Sequence, residues 1–308
     1  MEHVHKAMEK LASPKLRAAV RIQTTLLSSL TNLMREEGMV QLLPVMVSPI
    51  TDPLNHSVLE GSIRYGSTEL QLTKSMILHK QLALASGLDG IFIVSPNVRL
   101  ELPERGSTGR HLLEFSQLDF ELRGRKMGEV MRFCERLLTH AFCEVRLHHK
   151  NELELFGREL RIPSTPFRAY DSRDLEREYG PGWERIISSS SKDPVWVTNH
   201  EREFYDAEEP GSPGTYRNYD IIYPEGFGEG LSGAEREWEY SRILYRMEKK
   251  GMDKAPYAPY LEAACMGKLV PSAGAGFGIE RMLRYVCGAA SIEEVSPFAK
   301  VPGKEIVF

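Results

Sequence analysis

Apolar periodicity in this chain changes in runs: helical stretches and extended stretches each come in groups instead of alternating one for one. That grouping predicts an α+β fold, an antiparallel or mixed sheet flanked by helices, and argues against a doubly wound parallel sheet. Lys15 to Gly38 carries Ala19, Ile22, Leu26, Leu30 and Leu33 at three-four spacing, one apolar stripe along a helix closed by Gly38. Met39 to Pro53 mixes β-branched residues with Pro44, Pro49 and Pro53 and reads as an extended edge segment. Ile63 to Leu72 reads as a hairpin around Gly66 and Ser67, and Ser75 precedes a helical pattern through Ala85 closed by Gly87. Further strands are expected at Ile91 to Val94, Leu113 to Leu122, Tyr219 to Tyr223 and Phe227 to Leu231. Helices are expected at Met127 to His149, Ala234 to Lys250 and Pro259 to Met266, and a glycine-rich strand-to-helix join at Gly274 to Gly288. Residues 163–213 are polar, with a serine run at Ser188 to Ser191, and read as an insertion with mobile parts.

At 308 residues and 42% hydrophobic, the chain can bury a full core. Its net charge of -4 provides no overall basic field for a nucleic-acid backbone, which weighs against tRNA as a partner and leaves room only for a local basic patch. Cys134, Cys143, Cys265 and Cys287 form no CxxC pair, so neither a zinc site nor a disulfide framework is expected. No apolar run approaches the roughly 18 residues that span a bilayer, and Met1 to Lys15 is too charged for a secretory leader. The expectation is a soluble cytoplasmic enzyme with no membrane partner.

Three constellations carry chemistry. Pro96 to Glu101 and Arg110 to Glu121 form two extended runs around a Gly/Ser/Arg connector, and they present Arg99, Glu101, His111, Gln117 and Asp119 so that several share one sheet face. The same residues also fit a solvated hairpin. In Asp220 to Arg236, Asp220 and Glu229 on neighbouring strands suit a hard cation such as Mg²⁺, and Gly226, Gly228, Gly230 and Gly233 let a ligand approach the backbone. Gly274 to Arg281 feeds a helix bearing Arg281, a pattern that suits phosphate but also a tight strand-helix packing.

Taken in order, these blocks resemble the three signature motifs of the class II aminoacyl-tRNA synthetases, in the aspartyl and asparaginyl branch. The helix ending at Gly38 with Leu43-Pro44 resembles motif one, the dimer-forming element. Arg99-Leu100-Glu101 with Arg110-His111 and Glu114 to Asp119 resembles motif two, and Gly276 to Arg281 resembles motif three. Ser75 to Gln81 and Gly228 to Arg236 match the branch's amino-acid and metal segments, so the resemblance spans nearly the whole chain. Leu42 to Pro53, Ser75 to Gln81, Arg202 to Asp206 and Pro271 to Gly276 are similar to a narrower group, the archaeal asparagine synthetases related to asparaginyl-tRNA synthetase.

The resemblance implies one class II synthetase-like catalytic domain over residues 1–308, assembled as a homodimer through the motif-one helix. The chain begins almost directly at motif one, so no anticodon-reading OB-fold of roughly 100 residues is expected. It further implies ATP and Mg²⁺. Arg99 would hold the α-phosphate, His111 would point toward the γ-phosphate, and Phe115 and Arg281 would enclose adenine. Glu101 would read the adenine amino group, Gly278 would border the nucleotide, and Asp220, Glu229 and Ser232 would hold the metal. Ser75, Lys80, Gln117, Asp119 and Arg236 would face the amino acid, with Lys80 and Arg236 gripping its distal carboxylate and Asp119 meeting its ammonium. Arg99, Arg281 and Glu229 are the expected catalytic set.

Relatives that activate asparagine usually carry Glu where Asp119 stands, which leans the reading toward aspartate. Ile77 replaces a Gln usual in the tRNA ligases, and Asn55 to Gly61 departs from their closing loop. The implied reaction is aspartate activation as an acyl-adenylate and transfer of the acyl group to ammonia. The alternatives are charging of tRNA or another amine, or a non-catalytic aspartate- or adenylate-binding paralogue.

Overall fold

The computed structural model describes residues 2–308. Helices α1 (Glu2–Leu11) and α2 (Pro14–Glu36) lead into short strands β1 (Val40–Gln41), β2 (Val47–Ser48) and β3 (Val58–Leu59), then a hairpin of β4 (Ser62–Tyr65) and β5 (Thr68–Leu72). α3 (Ile77–Ala83) precedes β6 (Gly90–Val98), β7 (Leu100–Glu101) and β8 (Glu114–Arg123), followed by α4 (Met127–His148) and α5 (Lys150–Leu155). The chain continues through β9 (Ala169–Asp171), α6 (Ser172–Tyr179), α7 (Trp183–Ser190), β10 (Val195–Thr198), β11 (Asn218–Tyr223) and β12 (Gly228–Glu235). It ends with α8 (Tyr240–Lys249), α9 (Ala258–Cys265), β13 (Ser272–Gly278) and α10 (Ile279–Cys287).

The main sheet is ordered β1-β6-β8-β13-β12-β11-β10-β9. Pairing is parallel at its two ends, β1 with β6 and β9 with β10, and antiparallel between them. This is the mixed sheet that the grouped periodicity predicts.

Period two divides β8 between two environments. Leu118 and Phe120 are fully buried against Phe277 and Ala275 on one face, with Ala19, Ile22, Leu26 and Leu30 of α2, Leu137 and Leu138 of α4, and Met282 and Leu283 of α10 in the same core. Those stripes answer why α2, α4 and α10 are helices: each has an apolar face that only this side of the sheet can cover.

The opposite face is polar and its rows are set by register. Asp119 pairs with Gly276, Gly276 with Ser232, and Ser232 with Asp220. One row away, Glu121 pairs with Gly274 and Gly274 with Ala234, and on the other side Gln117 pairs with Gly278. The β13 glycines are required here, because a Cβ on Gly274 would lie 2.1 Å from the Phe120 carbonyl oxygen and one on Gly276 2.7 Å from Asp119 Oδ1.

Two expectations are corrected. Residues 163–213 are not irregular throughout, since β9 and β10 extend the main sheet and α6 and α7 pack beside it. The polar serine run sits at the end of α7, where buried Ser188 donates to the Tyr223 carbonyl at 2.7 Å and accepts from Gly228 N at 3.0 Å. The helix expected at Ala234 begins only at Tyr240. Ladder pairing holds Ala234 and Glu235 against Gly274 and Ala273. The Glu235 carboxylate further accepts from Met127 N at 2.8 Å and Arg217 at 3.0 Å, so tertiary pairing overrides the local helical pattern.

Gly274→Ala is expected to destabilise the fold by about 1–3 kcal/mol, because its new methyl group meets backbone. A lower urea midpoint at unchanged slope is the result to look for.

Candidate active site

A cavity of about 600 Å³ lies over the polar face of the sheet. Ser75, Lys80, Arg99, Glu101, His111, Phe115, Gln117, Asp119, Asp220, Glu229, Ser232, Arg236, Gly278 and Arg281 all line it. The fold thus gathers into one place side chains that the sequence spreads over some two hundred positions.

At one end, α3 delivers Lys80 from a start at which Ser75 Oγ accepts from Ile77 N at 3.2 Å. Lys80 Nζ is 2.9 Å from Asp119 Oδ1 and 3.8 Å from Glu121 Oε2, and it also reaches the carbonyls of Phe120 and Ala275 at 3.4 Å. Arg236 donates to Glu121 at 3.1 Å, to Asp206 at 3.4 Å and to the Gly274 carbonyl at 3.1 Å. Lys80 and Arg236 are therefore not the bare pair of cations that the clamp idea expects. Two buried, unpaired charges would cost several kcal/mol each, and the protein neutralises them with its own carboxylates. Burial works against the charge of Arg236, but Glu121 and Asp206 outweigh it and hold the guanidinium protonated. Asp119 keeps one oxygen, Oδ2, buried without a partner, and Gln117 Oε1 is fixed by Asn97 Nδ2 at 2.6 Å.

At the other end, Arg99 lies over the Phe115 ring at 5.1 Å and donates to the Lys74 carbonyl at 3.0 Å. Arg281, on the first turn of α10, pairs with Glu229 Oε2 at 3.5 Å and donates to the Glu229 carbonyl at 3.2 Å. Gly278 is the N-cap of that helix, so the positive end of α10 opens on the cavity. Glu101 is held through Oε1 by His56 Nε2 at 3.0 Å, and its Oε2 is buried without a partner. The imidazole of His111 is pushed down to about 4 by burial and then by the charges of Arg281 and Arg110. At neutral pH it is a neutral hydrogen-bonding group, already 2.6 Å from Thr108 Oγ1 through Nδ1.

The expected metal donors are found paired with side chains of the protein. Arg202 stands between its members, donating from Nη1 to Asp220 Oδ1 at 2.7 Å and to Ser232 Oγ at 2.5 Å. Asp220 Oδ2 lies 3.2 Å from His200 Nε2, and Glu229 is paired with Arg281. One oxygen of each expected metal donor, Asp220 Oδ1, Ser232 Oγ and Glu229 Oε2, thus faces a guanidinium of the protein.

Glu121, Arg202, Glu203 and Asp206 are site residues to which sequence reasoning gave no role. Glu121 was signalled by its position two residues after Asp119, on the same face. The others lie in the stretch Arg202 to Asp206, distinctive in sequence but mute about which side chains point inward.

Helices on one face of an antiparallel-centred sheet, with a cavity of arginines and carboxylates on the other, define the catalytic fold of a class II aminoacyl-tRNA synthetase. Residues 2–302 match the family of tRNA synthetases class II (D, K and N), and the chain belongs to it. It is similar to asparagine–tRNA ligase of Pyrococcus abyssi, 27% identical over 98% of this chain and 71% of the relative. It is also similar to aspartate–tRNA(Asp/Asn) ligase of Methanopyrus kandleri, 30% identical over 92% of this chain and 67% of the relative. The structure of asparaginyl-tRNA synthetase from Pyrococcus horikoshii complexed with asparaginyl-adenylate shares the fold, with a TM-score of 0.87 over 96% of this chain and 71% of that one at 24% identity.

Beside Arg281, the Glu280 carboxyl accepts from Ser116 N at 3.0 Å through both oxygens and is pushed up to about 7 by burial, with Glu114 adding to the rise. A raised carboxyl contributes stability that is complete below its unfolded value of 4.5 and is lost as pH rises through 7. Glu280→Gln is accordingly expected to flatten the fall in melting temperature between about pH 5 and pH 8, and to melt higher than wild type at the alkaline end.

Proposed function

We propose that the protein condenses ATP with aspartate into an aspartyl-adenylate, releasing pyrophosphate, and transfers the acyl group to ammonia to give asparagine and AMP. The observation that carries this reading is one cavity with a carboxylate-and-ammonium end at Lys80, Asp119 and Arg236 and a phosphate end at Arg99 and Arg281. Around the first end, the cations Lys80, Arg202 and Arg236 face the carboxylates Asp119, Glu121, Asp206 and Asp220 in linked pairs. Among the oxygens of these four carboxylates, Asp119 Oδ2 is the one buried without a partner. An amino group bound there completes the network, while Arg236 Nη1, with one N–H beyond its Asp206 bond, takes a substrate carboxylate.

The substrate's other carboxylate attacks the α-phosphorus in line with the leaving pyrophosphate. Arg99 and Arg281 stabilise the charge that develops there, and catalysis rests on positioning and electrostatics without a covalent protein nucleophile. Aspartate is nearly symmetric, so clamping the α-carboxylate presents the β-carboxylate to ATP, and the acyl group formed is the one asparagine needs.

An acceptor amine must arrive as the free base. Glu203 lines the cavity with Asp52 and Asp206, and burial, followed by the charges of those two carboxylates, pushes its carboxyl up to about 7. A carboxylate of that strength takes a proton from ammonium far better than an ordinary one. Ile77, buried at the cavity wall, offers no polar contact at this end.

The reading also takes the protein as a cytoplasmic homodimer joined through α2. It is supported by the apolar groups left uncovered after that helix, where Leu43 is 88% and Met46 67% exposed. No helix among the described residues is long and apolar enough to cross a membrane.

Transfer to tRNA is the second reading, favoured by the similarity to named tRNA ligases over nearly all of the chain. Incubation with ATP, Mg²⁺, aspartate and ammonium, with and without tRNA, separates the two: free asparagine and AMP without tRNA are the expected result. Acyl-tRNA as the sole product would replace this proposal with the second reading. Arg236→Ala is expected to raise the KM for aspartate at least about thirtyfold, as loss of a charged hydrogen-bond pair of 2–5 kcal/mol requires. Its ATP affinity, read by calorimetry, should stay within about threefold.

A further inference from the structure

Arg202 leaves the chain just before the buried pair Phe204 and Tyr205, and its guanidinium reaches back over the sheet face. Its Nη1 is spent on Asp220 and Ser232, its Nε faces Asp206 Oδ2 at 3.4 Å, and its Nη2 donates to the Gly233 carbonyl at 3.0 Å. Asp220 and Ser232 are register partners on neighbouring strands. Two oxygens so placed, with a second carboxylate, Asp206, behind them, are what a divalent ion uses to tie a triphosphate to a protein. Here the tie is already made by a planar cation that cannot leave.

We infer that Arg202 is the resident cation of the Asp220–Ser232 position, replacing a protein-held divalent ion there, and that it offers its remaining Nη2 N–H to an anionic oxygen of the nucleotide. Burial opposes the charge of Arg202, but Asp220, Asp206 and Glu203 more than offset it, so the guanidinium stays protonated throughout the working pH range. A permanently charged, covalently attached group does not depend on free metal concentration, and it fixes Asp220 and Ser232 before any ligand arrives. On this inference Mg²⁺ enters the cavity only as the counter-ion of the nucleotide phosphates. The inference does not depend on whether ammonia or tRNA accepts the acyl group.

The test is Mn²⁺ binding to the nucleotide-free protein, followed by electron paramagnetic resonance. Wild type is expected to show no stoichiometric site, and Arg202→Lys, which keeps the charge, should behave the same. Arg202→Ala uncovers Asp220 Oδ1 and Ser232 Oγ and is expected to bind one Mn²⁺ at least about tenfold more tightly than wild type. Adding Asp220→Asn to that variant should abolish the gain, and near-ultraviolet circular dichroism checks that each variant is folded. One Mn²⁺ bound per wild-type chain without nucleotide, and lost in Asp220→Asn alone, would overturn the inference. So would a folded Arg202→Ala protein that gains no Mn²⁺ site.

Discussion

An unbroken line of buried ion pairs on one face of the sheet is the feature on which the rest of the site depends. It runs from Asp119 through Lys80 and Glu121 to Arg236, and from there through Asp206 and Arg202 to Asp220. Each of these groups would be costly to bury alone, and each is tolerable because its neighbours carry the opposite sign. Removing one member strands the next, so the line behaves as a unit whose geometry is fixed before substrate enters. The core beneath is apolar and conventional by comparison, and its task is to keep β8, β13, β12 and β11 in a register that holds the charges in rows.

Preorganisation on this scale has a chemical consequence. Adenylate formation brings a carboxylate to a phosphate, two groups that repel, and the obstacle is overcome by fixed charges that need not reorient during the reaction. In the proposed reaction the nucleotide end supplies arginines at Arg99 and Arg281, whereas the amino-acid end supplies a network of linked ion pairs in which Asp119 Oδ2 has no partner. The proposal rests on a substrate with an ammonium group and two carboxylates engaging both ends at once. The neutral state of His111 fits the same division, since Arg281 and Arg110 already concentrate positive charge beside it.

Much of this was legible in the sequence because it rests on short-range pattern. The α2 stripe, the hairpin turning at Gly66, the alternation of β8 and the glycines of β13 all announce themselves through spacing, and the motif-like blocks lead to residues that share one cavity. What was not legible depends on distant partners. Nothing near Lys80 in the chain reveals Asp119, 39 residues away, and nothing near Arg202 reveals Ser232, 30 residues away. Hence the clamp cations looked unpaired and the metal donors looked free. The stretch 163–213 misled for a related reason: β10 lies on the edge of β11 and β9 on the edge of β10, and the short apolar run Val195 to Thr198 stands alone among polar residues.

The claim that this line of charges selects aspartate for reaction with ATP is tested most directly by pyrophosphate exchange into ATP, measured with aspartate, with asparagine and with no amino acid. Exchange that requires aspartate and is not supported by asparagine is the predicted result. Exchange driven by asparagine but not by aspartate, or none with either, would contradict the account.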